Sequence, residues 1–84
     1  MPEIKVKFYA LLRSKVGRDE MTVTASRLKD VMNVLKRDLG PEAVKVISSC
    51  HVYINQDNVA FLKGERTSLK EGDVVHILPP TGGG

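Results

Sequence analysis

Short hydrophobic segments lie near both ends of the chain, and in the first of them apolar and polar residues alternate. Ile4, Val6 and Phe8 are separated by single polar positions, which is the period-two pattern of a strand with one buried face. Residues 74–78 form a second run, largely apolar and rich in β-branched side chains. We therefore predict two strands here, and because both are strongly hydrophobic we expect them to lie at the centre of a sheet.

In the middle of the chain the hydrophobic period becomes that of a helix. We expect Ser26 to cap the start of this helix and Gly40, followed by Pro41, to end it. A shorter helical stretch is predicted over residues 11–16, with Gly17 as a left-handed cap. The main helix is indicated by apolar residues spaced i, i+3, i+4, i+7 and i+11, namely Leu28, Val31, Met32, Leu35 and Leu39.

Three further strands are indicated between these segments. Residues 21–24 are rich in strand formers and follow a charged turn, so they are predicted to pair antiparallel with the first strand. Residues 51–54 read as a strand, 55–58 as a turn, and 59–61 as the returning strand. Residues 42–49 fit either a short second helix or a turn.

The order of these elements predicts an α+β domain with a five-stranded sheet. One main helix can cover only one face of such a sheet, so the opposite face is expected to be at least partly open. With 84 residues in all, the chain has room for one modest core and no deep catalytic cleft. We divide it into a domain over 1–78 and a C-terminal tail over 79–84.

Composition excludes several classes of function. The net charge is +3, but the basic residues are spread along the chain, and only four residues are aromatic, so we expect no nucleic-acid binding. A single cysteine, Cys50, allows no intrachain disulfide and no multi-cysteine metal site. It is expected to be a small buried apolar residue, with the adjacent His51 directed to the opposite face.

No segment is typical of a membrane span or a secretory signal. The longest apolar run, residues 8–12, is far shorter than a span. The chain begins Met1-Pro2-Glu3 and lacks the basic and apolar regions of a signal peptide. We therefore expect a soluble protein in the cytoplasm, with no membrane partner.

The tail offers the most distinctive chemistry in the sequence. A terminal carboxylate has a pKa of roughly 3.3 to 3.7 and is an ionised oxygen nucleophile at neutral pH. Glycines without a Cβ can enter a narrow channel, and two prolines favour an extended path away from the domain. Six residues can reach on the order of 20 Å, although terminal glycines also occur in linkers. The tail reads Pro79-Pro80-Thr81-Gly82-Gly83-Gly84.

Several segments, in this order, resemble one known family. Residues 8–17, 52–56 and 69–75 are similar to segments of the ubiquitin-like β-grasp sulfur carriers, and in particular of the small subunits of molybdopterin synthase. The diproline at 79–80, followed by the pair of glycines at 83–84, is the most specific element. The resemblance covers nearly the whole chain and implies a β-grasp fold, with a mixed five-stranded sheet, one main helix and one or two short helices.

The resemblance also implies a chemical cycle at Gly84, the expected reacting group. An adenylating enzyme of the ubiquitin-activating type would use Mg-ATP to activate its carboxylate, and a cysteine desulfurase or rhodanese-like donor would supply sulfur to form a thiocarboxylate. The tail would then enter the large synthase subunit, which is expected to carry the catalytic pocket, and deliver sulfur to a pterin precursor. The carrier itself would bind no metal and no cofactor. Gly82 departs from the family pattern, which has a hydroxyl residue at that position.

Strand parity suggests a docking surface on the open face. If the alternating apolar residues face the helix, then Tyr9, His76 and Leu78 face outward, with Lys5 and Lys7 on the same side. The family carries exposed apolar partner contacts at positions that match Tyr9 and Leu78. Ordinary exposed side chains would give the same pattern.

Two other functions remain open from the sequence. The first is a protein modifier whose activated Gly84 forms an isopeptide bond with lysine, as in archaeal ubiquitin-like modifiers with a similar ending. The second is a non-catalytic interaction domain with an inert tail.

Overall fold

The computed structural model describes residues 1–80 and contains a mixed five-stranded sheet with three α-helices. Among these residues, every helix is too short or too polar to cross a lipid bilayer. In chain order the elements are β1 (Glu3–Phe8), α1 (Leu11–Val16), β2 (Glu20–Thr24), α2 (Leu28–Leu39), α3 (Pro41–Ile47), β3 (His51–Ile54), β4 (Asp57–Asn58) and β5 (Val74–Leu78), with 3-10 turns at Val59–Phe61 and Gly64–Arg66.

The sheet places the first and last strands side by side in its centre. The strand order is β2-β1-β5-β3-β4, and β1 and β5 run parallel while the other pairs are antiparallel. Lys7 lies opposite His76, and Phe8 lies opposite Ile77. The predicted fold class, the antiparallel pairing of β1 with β2 and the central position of both hydrophobic strands are confirmed.

The helices cover one face of the sheet and form a single core with it. Alternate residues of the two central strands point into this core, as the period-two pattern predicts, and α2 contributes three buried positions of its apolar stripe. The most deeply buried side chains are at most 2% exposed. They include Ile4, Val6, Phe8, Leu12, Val31, Leu35, Ile47, Val75 and Ile77.

The helix boundaries agree with the prediction except at the start of α2. Gly17 ends α1 with φ 85°, in the left-handed region. Helix α2 begins at Leu28 after Arg27, and the carboxylate of Asp30 accepts the backbone N–H of Arg27 at 3.2 Å. Ser26 is therefore not the cap, because the chain is still extended at Arg27.

The region around Gly40 resolves one ambiguity of the sequence. Gly40 has φ 91° and ends α2, and Pro41 is the first residue of α3, a position where a missing N–H costs nothing. The segment 42–49, which fitted a helix or a turn, is helical as far as Ile47.

The predicted returning strand at 59–61 is wrong. The chain turns at Asn55, which has φ 56°, and the returning strand β4 is only Asp57–Asn58. Residues 59–61 form a 3-10 turn, in which the side chain of Asn58 accepts the backbone N–H of Ala60 at 2.9 Å. The apolar character of this segment is used in part for packing, since Val59 lies against the core.

Candidate functional site

The open face of the sheet gathers the side chains that the sequence placed there. Lys5, Lys7 and Tyr9 point outward from β1 and from the residue that follows it, and His76 and Leu78 point outward from β5. The parallel register brings these two sets next to each other, because His76 pairs with Lys7. The geometry agrees with the predicted parity, and a docking role for these residues stays a prediction.

Tyr9 and His76 form a hydrogen-bonded pair at the centre of this face. The Tyr9 hydroxyl lies 2.6 Å from Nδ1 of His76, and the two rings are tilted by 35° with centroids 5.7 Å apart. Partial burial, and secondly the positive charge of Lys7, hold the pKa of His76 below its usual value. The imidazole is therefore biased towards its neutral form, and the pair fixes the orientation of both rings.

A shallow apolar depression of about 310 Å³ lies beside this pair. Its lining includes Tyr53 and Asn55, which sequence reasoning did not select. Tyr53 lies opposite His76 because β3 is the other neighbour of β5. The alternation of side chains in residues 51–54 is consistent with an outward Tyr53. The sequence did not specify, however, that β3 pairs with β5, and only this pairing brings Tyr53 next to His76.

A second apolar depression, of about 300 Å³, lies where the last strand ends. Pro79 and Pro80 follow β5 directly, and both line this depression. Opposite the prolines the chain turns from β1 into α1 through Ala10, which has φ 55°. We call this feature the tail-base notch, and its lining residues are Tyr9, Ala10, Leu11, Leu78, Pro79 and Pro80.

The two predicted lysines differ in their surroundings. Nζ of Lys5 lies 3.5 Å from a carboxylate oxygen of Glu20 on β2, and both side chains are about half exposed. Such exposed pairs contribute little to stability, since solvent screens the charges. Lys7 lies nearer the centre of the face, where its charge disfavours protonation of His76.

Within residues 1–80 the core is apolar throughout. No polar or charged side chain is buried among the core residues of the described chain, and residues 1–80 contain no cluster of side chains suited to hold a metal ion. Cys50 is only half-buried, its thiol donates to the carbonyl of Val46 at 3.3 Å, and burial raises the pKa of the thiol. The thiol is therefore a poor nucleophile.

The predicted reacting group lies outside the described residues. Thr81, Gly82, Gly83 and Gly84 follow Pro80 and are not part of the structure described here. The body contributes the point from which these residues start, at the end of a strand that is hydrogen-bonded on both sides.

Comparisons with known proteins agree with this architecture. Residues 6–84 match the model of the ThiS family. The structure is similar to the small archaeal modifier protein 1 of Methanosarcina acetivorans, with 33% identity, a TM-score of 0.88, and coverage of 100% of this chain and 98% of that one. Curated protein sequences give no match.

Two further solved structures share this fold. A putative molybdopterin converting factor subunit 1 from Pyrococcus furiosus is 25% identical, with a TM-score of 0.78 over 96% of this chain and 100% of that one. In a complex of subunits 1 and 2 of the molybdopterin-converting factor from Helicobacter pylori 26695, the matching chain is 24% identical, with a TM-score of 0.72 over 98% of this chain and 99% of that one.

The mixed sheet, the single covered face and these likenesses define a ubiquitin-like β-grasp protein. More narrowly, the chain belongs to the ThiS family, because the family model spans nearly all of it. The resemblance drawn from the sequence is confirmed at this level. The relatives include both molybdopterin converting factors and protein modifiers.

Proposed function

We propose that this protein is a sulfur carrier for molybdopterin biosynthesis and that Gly84 provides the carboxylate that is activated. The main support is that the family match extends through Gly84. A linker or an appended glycine tract would not be expected to fall within the family pattern. The likeness to a molybdopterin converting factor subunit 1 supports the particular pathway.

The proposed cycle begins on an adenylating partner that binds Mg-ATP. The Gly84 carboxylate attacks the α-phosphate, pyrophosphate leaves, and the carbonyl carbon of the acyl-adenylate becomes electrophilic. The terminal sulfur of a donor persulfide attacks this carbon, and AMP leaves. A second thiol then reduces the resulting acyl disulfide, which releases the thiocarboxylate of Gly84 and a disulfide between the donor and that thiol.

The product suits transfer of sulfur in a partner's pocket. The thiocarboxylate sulfur is softer and more nucleophilic than the oxygen that it replaces. We propose that the tail then enters a large synthase subunit, where the sulfur is passed to a pterin precursor. The complex of subunits 1 and 2 from Helicobacter pylori supports a partner of this kind. In this scheme the described domain positions the tail and recognises the partners.

Intact-mass measurement tests the proposal directly. The chain is incubated with Mg-ATP, the adenylating enzyme encoded in the same genome, a persulfide donor and a reducing thiol. We expect a mass increase equal to the exchange of one oxygen for one sulfur, located at Gly84 by fragmentation. The control is a chain that lacks Gly83 and Gly84, which should remain unchanged. Activation of the unaltered chain without any gain of sulfur would contradict the carrier role.

A second function, conjugation to lysine, is supported by the 33% identical archaeal modifier. It would use the same acyl-adenylate but would end in an isopeptide bond between Gly84 and a target lysine. Trypsin, which cleaves after lysine and arginine, would leave residues 71–84 on each target, since Lys70 is the last of these residues in the sequence. A Thr81→Arg variant would shorten this remnant to three glycines, which makes modified lysines easier to identify in digests of whole cells.

A further inference from the structure

The tail-base notch contains a large apolar side chain that is not buried in the hydrophobic core. Leu11 is 75% exposed, whereas the next residue, Leu12, is buried in the core at 1% exposure. Among the six residues that line the notch, the only polar side-chain group is the hydroxyl of Tyr9, and that hydroxyl is paired with His76. The notch therefore presents an apolar surface with few groups left for water to bind.

The position of Leu11 is fixed by the backbone of the turn before it. The N–H of Tyr9 donates to the carbonyl of Ile77 at 3.3 Å, so this corner is tied to the last strand. The N–H groups of Leu12 and Arg13 donate to the carbonyls of Tyr9 and Ala10, each at 3.1 Å. Ala10 has a positive φ that favours glycine, so the corner holds a conformation of higher energy while it directs Leu11 outward.

Chain length limits where a partner that holds Gly84 can lie. Gly84 is the fourth residue after Pro80, and even a fully extended chain of four residues spans roughly 14 Å at most. A catalytic pocket that contains the Gly84 carboxylate must therefore lie within this distance of Pro80. An enzyme that binds ATP and holds Gly84 within this distance is expected to cover surface near Pro80, and the notch is part of that surface because Pro79 and Pro80 line it.

We propose that the tail-base notch is a docking site for the adenylating enzyme that activates Gly84, and that Leu11 is its anchor. The enzyme is expected to present an apolar surface that covers Leu11 and packs against Pro79 and Pro80. This inference rests on the proposed function, but it holds for both the sulfur carrier and the protein modifier, because activation is the first step of each. The proposed docking site therefore extends beyond the open face of the sheet, because Leu11 lies on α1 and not on a strand.

The test measures ATP–pyrophosphate exchange with the adenylating enzyme encoded in the same genome, as a function of the concentration of the full chain. Leu11→Ser should raise KM roughly tenfold, equal to about 1.4 kcal/mol, and leave kcat nearly unchanged, because in this proposal Leu11 contributes to binding and takes no part in the reaction. The matched control is Phe61→Ser, since Phe61 is also a large, exposed apolar residue, at 86%, but lies outside the notch. This control should leave KM unchanged.

The outcomes separate the docking site from the proposed function. No exchange with the unaltered chain would overturn the proposed function, and with it the assignment of this partner. Exchange with the unaltered chain and the same KM for Leu11→Ser would overturn the docking site alone. An equal rise in KM for Phe61→Ser would also overturn it, because general surface hydrophobicity would then explain the binding. A thermal melt of each variant, expected to be unchanged, excludes loss of folding.

Discussion

The two faces of the same central strands have opposite surroundings. On the covered face, Val75 and Ile77 are completely buried. One residue further along the same strand, His76 and Leu78 are partly exposed on the open face. Because successive side chains of a strand point to opposite sides, stability and recognition can be assigned to alternate positions. Substitutions on the open face are therefore expected to cost less stability than substitutions on the covered face.

The largest expected effect compares two neighbouring residues of β5. Ile77→Ala should lower the free energy of unfolding by about 2–5 kcal/mol, because it leaves a cavity in the core. Leu78→Ala should lower it by about 1 kcal/mol or less, since the side chain is only partly buried. Urea unfolding of both variants measures the difference. Similar losses in the free energy of unfolding would contradict the difference between the two faces.

A smaller effect is expected from the polar pair on the open face. Tyr9→Phe removes the hydroxyl that lies 2.6 Å from Nδ1 of His76, and the loss of one such hydrogen bond should cost about 0.5–1.5 kcal/mol. Tyr53→Phe is the control, since it makes the same change on the same face and leaves that pair intact. Unfolding curves that coincide for the two variants would show that the pair adds nothing to stability.

The smallest effect is a dependence of stability on pH. The pKa of His76 in the folded chain lies below its ordinary value of 6.5, so below that pH the unfolded chain takes up a proton more readily than the folded one. The stabilising effect of keeping this residue neutral is present above pH 6.5 and is lost as the pH falls through the folded pKa. The groups that face the imidazole are the hydroxyl of Tyr9, the charge of Lys7, and Tyr53.

Replacement of the histidine reveals this dependence. His76→Gln removes the titrating group, so the unaltered chain should lose stability relative to the variant as the pH falls below 6.5. His51→Gln serves as the control on an exposed histidine. Chemical unfolding at several pH values gives the comparison. A constant difference in free energy between the unaltered chain and His76→Gln would contradict the lowered pKa.

The sequence predicted best where hydrophobic burial alone determines the structure. Both central strands and the stripe of α2 follow from periodicity, since each element must bury one face against the other. Local hydrogen bonds were harder to anticipate. At the start of α2 the side chain of Asp30, and not that of Ser26, accepts a backbone N–H. The side chain of Asn58 accepts the N–H of Ala60 in a 3-10 turn where a strand was expected.

The site was only partly predictable for a related reason. Parity placed Tyr9 and His76 on one face, but the contribution of Tyr53 depends on which strand pairs with β5. The exposure of Leu11 was not predicted either, because an apolar residue in a short amphipathic helix is normally assigned to the core. Its exposure follows from the sharp turn at Ala10, which no periodicity reveals.

The central position of β5 also has a mechanical consequence. The strand that leads into the tail is bonded to β1 on one side, in parallel, and to β3 on the other. A pull on the tail therefore acts along two rows of hydrogen bonds at once and loads them in shear, so that many must break together. An unfolding motor or protease that pulls on the tail is therefore expected to meet high mechanical resistance to unfolding of the domain.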